Sequence, residues 1–267
     1  MNKRELVNSI LQKKSYLCIG LDSDVTKLPA HLSGRPGAVV DFNKAIIDAT
    51  KDFCVAYKIN TAFYESQGLA GWKAMEETLS YIPASHFTIA DAKRGDIGNT
   101  SAQYAKTFFE TLQFDAVTVA PYMGEDSVKP FLEYENKVTI VLGLTSNKGA
   151  ENFELQKLQG GKPLYEQVLE ETAKWGTTDN LMFVAGATQA KAFLHIRTIV
   201  PGHFLLVPGV GAQGGSLKEV SQYGLNQECG LLVNASRAVL FASGGEDFAE
   251  AAAAAAQQYH DEMKLFL

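Results

Sequence analysis

Eight short, mostly apolar runs punctuate the chain, at positions 16–21, 53–59, 87–90, 116–120, 138–142, 181–184, 204–207 and 231–233. Short runs without a polar face predict strands buried on both sides. Between them lie longer stretches with apolar residues at helical spacing: 37–51, 68–80, 101–112, 163–175, 187–199 and 216–223. The last stretch, 246–267, is rich in alanine, the residue with the best helix propensity, and predicts a terminal helix. Strands alternating with helices imply a covered parallel sheet, and eight units in about 250 residues fit a closed barrel better than an open doubly wound sheet. No linker or shift of composition divides the chain. The expectation is a single α/β domain, a (β/α)8 TIM barrel over residues 1–267.

That expectation brings distant residues together. The longest irregular pieces, 23–36 and 145–162, both follow strands, and in a barrel such loops gather at the rim where active sites lie. Asp22 and Asp24 follow the first strand, Lys58 and Asn60 end the second, Asp91 and Lys93 end the third, and Pro121 ends the fourth. Ser146 and Asn147 follow the fifth strand, residues 208–215 the seventh, and residues 234–237 the eighth. Taken singly, Asp22, Asn60 or Ser146 could be a helix cap or turn residue. Jointly they outline a site.

The densest chemistry is Asp91-Ala92-Lys93-Arg94-Gly95-Asp96-Ile97-Gly98-Asn99-Thr100, where a strand passes into a helix. In an extended segment Asp91 and Lys93 point to one side; on the following helix Asp96 and Thr100 share a face. A solvated turn with a surface ion pair is the plainer reading, and it would contribute little. A second cluster, Pro208-Gly209-Val210-Gly211-Ala212-Gln213-Gly214-Gly215, precedes a helix, so its backbone amides can approach an anion. It lacks the lysine of a Walker loop, and no acidic residue ends the next strand as a dinucleotide site requires. Arg237, one of five arginines, comes directly after the eighth strand, where barrels often hold phosphate. It can grip phosphate with two parallel hydrogen bonds, or pair at the surface with Glu246 or Asp247.

Composition narrows the partners. At 46% hydrophobic and 20% charged residues this is ordinary globular composition. A net charge of −6 and a pI near 5.4 argue against nucleic acid or an acidic membrane surface as partners, so phosphate recognition must be local. Cys18, Cys54 and Cys229 sit inside apolar runs, are odd in number and lack C-x-x-C spacing, which reads as buried thiols in a reducing compartment. The five histidines form no metal-binding pair, and no metal site is expected. There is no apolar run of 18 residues and no amino-terminal leader pattern; the expected location is the cytoplasm.

D-A-K-R-G-D-I-G-N-T at 91–100 together with P-G-V-G-A-Q-G-G at 208–215 resembles the orotidine 5′-phosphate decarboxylase family in its longer bacterial form. G-L-D at 20–22, Y-K-I-N at 57–60, L-T-S-N at 144–147 and N-A-S-R at 234–237 support the resemblance in the same order. It implies conversion of orotidine 5′-phosphate to uridine 5′-phosphate and carbon dioxide, without a cofactor, at the end of pyrimidine synthesis. By matching positions it implies a charged array of Lys58, Asp91, Lys93 and Asp96. Asp22 and Lys58 would hold ribose hydroxyls, Ser146 the pyrimidine edge, and Gln213 with Arg237 the phosphate, within the Pro208 loop. It further implies a homodimer in which Asp96, Ile97 and Thr100 reach the neighbouring site. Ser23 and Lys148 stand where that family would have proline, which bears on loop shape.

Elementary chemistry is consistent with that implication. Loss of carbon dioxide from C6 leaves an electron pair in the ring plane, out of reach of the π system, so stabilisation has to be electrostatic. An ammonium about 4 Å away supplies roughly 4 kcal/mol at an effective dielectric of 20, and Lys93 can then protonate C6. Binding energy from the remote phosphate could close the Pro208 and Ser146 loops over the base. Two other readings stand at this level: a metal-dependent sugar-phosphate decarboxylase or isomerase on the same barrel, and a catalytically silent nucleotide-binding module.

Overall fold

The consecutive apolar runs form strands because side chains on one face fill the barrel while those on the other meet helices. The structure, a computed structural model, describes residues 1–211 and 214–267. Its strands are β1 Leu17–Gly20, β2 Ala56–Asn60, β3 Phe87–Arg94, β4 Ala116–Val119, β5 Val138–Leu144, β6 Leu181–Ala185, β7 Leu205–Pro208 and β8 Leu231–Ala235. They pair in parallel and in chain order into a closed barrel, and Leu17 opposite Val233 seals β1 against β8. The expected (β/α)8 architecture is what the chain adopts.

The principal helices are α1 Lys3–Lys13, α2 Ala38–Thr50, α3 Ala62–Glu65, α4 Gly68–Tyr81, α5 Gly98–Lys106, α6 Glu125–Leu132, α7 Leu164–Thr172, α8 Ala192–Ile199, α9 Leu217–Gly224, α10 Arg237–Leu240 and α11 Phe248–Met263. The alanine-rich α11 buries Phe248, Ala252, Ala256 and Met263 along one face. Its small residues let α2 come close, and Phe42 of α2 stacks on Phe248 with ring centroids 5.1 Å apart. Burying a side chain such as Phe42 stabilises the pair by roughly 2–3 kcal/mol. No helix among the described residues is long and apolar enough to cross a membrane.

Four helices, α1, α3, α6 and α10, lie outside the helical stretches expected from the sequence, and β3 runs past its expected end. α1 was not foreseen, although Asn2 and Glu5 form a capping box at its start and Leu6 and Ile10 are buried. α6 was not foreseen either: it has eight residues and carries Pro130, which forfeits one backbone hydrogen bond without ending the helix. β3 runs to Arg94 instead of stopping at Ala90. Ala90 lies opposite Val117 and Arg94 opposite Val119, so two extra residues of β3 bulge out against β4.

Candidate active site

Lys58 and Asp91 make the centre of the site, brought together because Lys58 lies near the end of β2 and Asn60 is opposite Asp91 in β3. Lys58 Nζ donates to Asp91 Oδ2 at 2.9 Å and to Asp22 Oδ1 at 3.4 Å. Lys93 Nζ donates to Asp91 Oδ1 at 2.5 Å. Asp22, Lys58, Asp91 and Lys93 thus form one alternating row of charges. Lys58 is only 3% exposed, whereas the Lys93 side chain is half exposed and faces the mouth. Burial alone would lower the Lys58 pKa; the carboxylates of Asp22 and Asp91 outweigh it and raise the pKa, so the ammonium persists. Burial would likewise raise the Asp91 pKa, and Lys58 and Lys93 instead hold the carboxyl well below the usual carboxylate range.

Simple alternation along β3 does not explain why Lys93 meets Asp91. Lys93 sits in the bulge with φ of +46°, a left-handed conformation that costs a lysine about 1–2 kcal/mol and persists only if its surroundings impose it. Thr118 of β4 imposes it from inside: its Oγ1 accepts from Lys93 N–H at 2.9 Å and donates to Asp91 Oδ1 at 3.0 Å. Arg94 holds the next residue from outside. Its guanidinium pairs with Glu65 of α3, donates to Ala92 O at 3.3 Å, and lies 5.4 Å from the Tyr104 ring centroid and 5.5 Å from that of Phe108. Sequence reasoning missed Thr118, because a threonine inside Val-Thr-Val is an ordinary strand residue.

Beside this row lies a cavity of about 180 Å³ lined by Asp22, Lys58, Asn60, Asp91, Pro208 and Arg237, among others. Strands one, two, three, seven and eight therefore converge as expected. Arg237 has no carboxylate within ion-pairing distance among the described residues, so it is not tied to Glu246 or Asp247. In the glycine loop Gly211 has φ of +73°, and a side chain there would also run into the Tyr259 hydroxyl. Gln213 lies outside the described residues. Asn234, the first residue of the N-A-S-R segment expected at this rim, also lines the cavity, though the sequence gives it no role of its own; it is 7% exposed and its Oδ1 has no hydrogen-bond partner among the described residues. No group of three or more His, Cys, Asp or Glu side chains able to hold a metal ion occurs among the described residues.

Other expected site residues lie apart. α5 begins at Gly98, so Asp96 precedes the helix and does not share a helical face with Thr100. Asp96 Oδ1 accepts from Ile97 N–H at 2.8 Å and meets no cation within this chain's described residues. Ile97, 58% exposed, and Thr100 face solvent. Ser146 follows β5 at the same end of the barrel but does not line the small cavity.

Ser23 is fully buried: its hydroxyl donates to Asn43 Oδ1 at 2.5 Å, Asn43 Nδ2 donates to Tyr64 and Thr78, and Tyr64 donates to Leu21 O. Both neighbours of Asp22 are thereby held, Ser23 by Asn43 and Leu21 by Tyr64. Lys148 is exposed at the start of a short 3-10 turn, Lys148–Asn152.

Residues 15–255 match the family model described as "Orotidine 5′-phosphate decarboxylase / HUMPS family". An orotidine 5′-phosphate decarboxylase of Bacteroides fragilis is 57% identical over 266 residues, covering 98% of this chain and 97% of its own. One of Flavobacterium johnsoniae is 58% identical over 267 residues, with 98% and 97% covered. Among solved structures, Leishmania donovani OMP decarboxylase superposes with a TM-score of 0.87 at 35% identity, covering 100% of this chain and 98% of that one.

Proposed function

Because the chain belongs to the orotidine 5′-phosphate decarboxylase / HUMPS family and is a carboxy-lyase of pyrimidine synthesis, we propose that Lys93 carries its chemistry. The reaction converts orotidine 5′-phosphate to uridine 5′-phosphate and carbon dioxide. The carrying observation is the Lys93 ammonium, held 2.5 Å from Asp91 in a left-handed bulge at the barrel mouth. A group fixed in this way need not reorganise when negative charge develops on C6, which is where electrostatic catalysis is strongest. Carbon dioxide departs with the C–C bond broken, the electron pair stays on C6, and Lys93 transfers its proton there. Asp91 keeps the lysine charged and aimed, and Lys58 neutralises the second oxygen of Asp91.

The same reading assigns the rest of the site. Asp22 and Lys58 hold ribose hydroxyls, Asn234 offers its free carboxamide oxygen to the nucleotide, and Ser146 reads the pyrimidine edge. Arg237, with Gln213 and the backbone from Pro208 onward, takes the phosphate. Residues 1–267 act as one barrel domain in the cytoplasm, a location that three buried, unpaired cysteines favour. No cofactor is assigned. Asp96 and Thr100 complete the site of a second copy in a homodimer; in support, Asp96 meets no cation among the described residues of its own chain, and the adjacent Ile97 is 58% exposed.

The test is loss of the orotate ultraviolet band on orotidine 5′-phosphate, with and without a chelator. Chelator-insensitive turnover is expected. Turnover that stops with chelator and returns with magnesium would favour the metal-dependent reading, and tight uridine 5′-phosphate binding without turnover the silent module.

A further inference from the structure

The segment around Ser146 is held from three directions. Glu154, in the loop after β5, accepts from Thr145 N–H at 2.6 Å through one carboxylate oxygen, while its other oxygen stands 2.8 Å from Thr145 Oγ1, whose single proton it shares with Asn147 Oδ1 at 2.6 Å. No Lys, Arg or His lies within ion-pairing distance of Glu154 among the described residues, so its carboxylate serves Thr145. Glu154 is itself anchored, its carbonyl accepting from the N–H of buried Tyr165 in α7 at 2.9 Å. On the other side, Gly186 follows β6 immediately beneath Ser146. A Cβ on Gly186 would stand 2.6 Å from Ser146 N, 2.7 Å from its Cα and 2.8 Å from its Cβ. Gly186 has φ of −72° and ψ of 133°, a conformation open to any residue, so glycine is required there for space alone. Thr188 Oγ1 then donates to Ser146 O at 3.2 Å.

We propose that Glu154 and Gly186 are positioning residues that seat Ser146 in advance, so that the pyrimidine-reading hydroxyl is fixed before the nucleotide binds. The inference rests on Ser146 contacting the base. It changes the picture of loop closure, since the β5 side of the site is preset and needs no binding energy to assemble. A hydroxyl that must hydrogen-bond a ring edge tolerates little displacement, and Gly186→Ala forces the whole Ser146 backbone to move.

The experiment titrates uridine 5′-phosphate and ribose 5-phosphate, which lacks the base, into the parent protein, Ser146→Ala, Gly186→Ala and Glu154→Gln by calorimetry. For Ser146→Ala and Gly186→Ala, uridine 5′-phosphate affinity should fall about fivefold or more, the worth of one hydrogen bond left unmade, with ribose 5-phosphate affinity unchanged. Glu154→Gln, which keeps one amide oxygen for Thr145, should show the same selective loss at smaller size and covers the case in which Gly186→Ala does not fold. If Ser146→Ala weakens uridine 5′-phosphate while both other variants bind it like the parent, the seating role is wrong. Equal losses for both ligands would also overturn it, as would an unaffected Ser146→Ala, which refutes the base-reading role as well.

Discussion

Replacing Thr118 with valine keeps the shape of a side chain that is 1% exposed and deletes a single hydroxyl. That hydroxyl makes two hydrogen bonds, accepting from Lys93 N–H at 2.9 Å and donating to Asp91 Oδ1 at 3.0 Å. An unsatisfied N–H in the bulge costs about 1–3 kcal/mol, and a hydrogen bond to a charged acceptor about 1.5 kcal/mol more. Against a left-handed lysine already about 1–2 kcal/mol uphill, that is enough to let the bulge relax. With about 1–2 kcal/mol of strain recovered on relaxing, stability should fall by about 2 kcal/mol, which lowers the melting temperature of a chain this size by roughly 4–8 °C. A shift of Lys93 by about 1 Å can cost on the order of a hundredfold in rate, so kcat should drop about 10- to 100-fold while KM stays within about twofold. Thr118→Ser should recover most of the rate. The assay pairs the ultraviolet decarboxylation rate with thermal unfolding by circular dichroism; a Thr118→Val enzyme with parental kcat refutes the idea that this hydroxyl holds the lysine.

A shared site makes a mixing prediction: Lys93→Ala and Asp96→Ala subunits, each inactive alone, should regain activity when exchanged into hybrid dimers, and verified exchange without recovery would remove the composite site. A buried histidine makes a pH prediction. His203 is 8% exposed, and burial, with Lys3 and Arg197 nearby, pushes its pKa from 6.5 down to about 4. Below pH 6.5 the unfolded chain takes up a proton that the folded one refuses, so this group removes stability as pH falls, about 2–3 kcal/mol between pH 7 and pH 4.5. Urea unfolding of His203→Gln across that range should show a correspondingly flatter profile; an unchanged slope would contradict the linkage.

The strands were legible because burial on both faces leaves them mostly apolar, with isolated polar residues such as Lys58 and Thr118 too few to break the runs, and their regular alternation with helices implied the barrel. The last four residues of β3 were not, since Asp-Ala-Lys-Arg has no apolar signature and its two-residue surplus exists only relative to β4. The same limit applies to the site. Lys58, Asp91 and Lys93 announced themselves by type and position, yet alternation, the argument that first placed Asp91 beside Lys93, fails at a lysine with positive φ. Asp96 and Thr100 were assigned one helical face although the helix starts at Gly98. Thr118, Gly186 and Glu154 act through contacts with partners on other strands or further along a loop, and nothing in their immediate sequence distinguishes them from ordinary strand and loop residues.

Lys93→Ala, assayed for decarboxylation and for uridine 5′-phosphate affinity on the same preparation, bears most directly on the role given to the ammonium. Loss of roughly 4 kcal/mol of attraction to the carbanion corresponds to about a thousandfold in rate, with the proton donor lost besides. The expected result is a folded protein that binds uridine 5′-phosphate nearly as well as the parent and turns over at least a thousandfold more slowly. Turnover within tenfold of the parent would show that the charge developing at C6 is met by some other group.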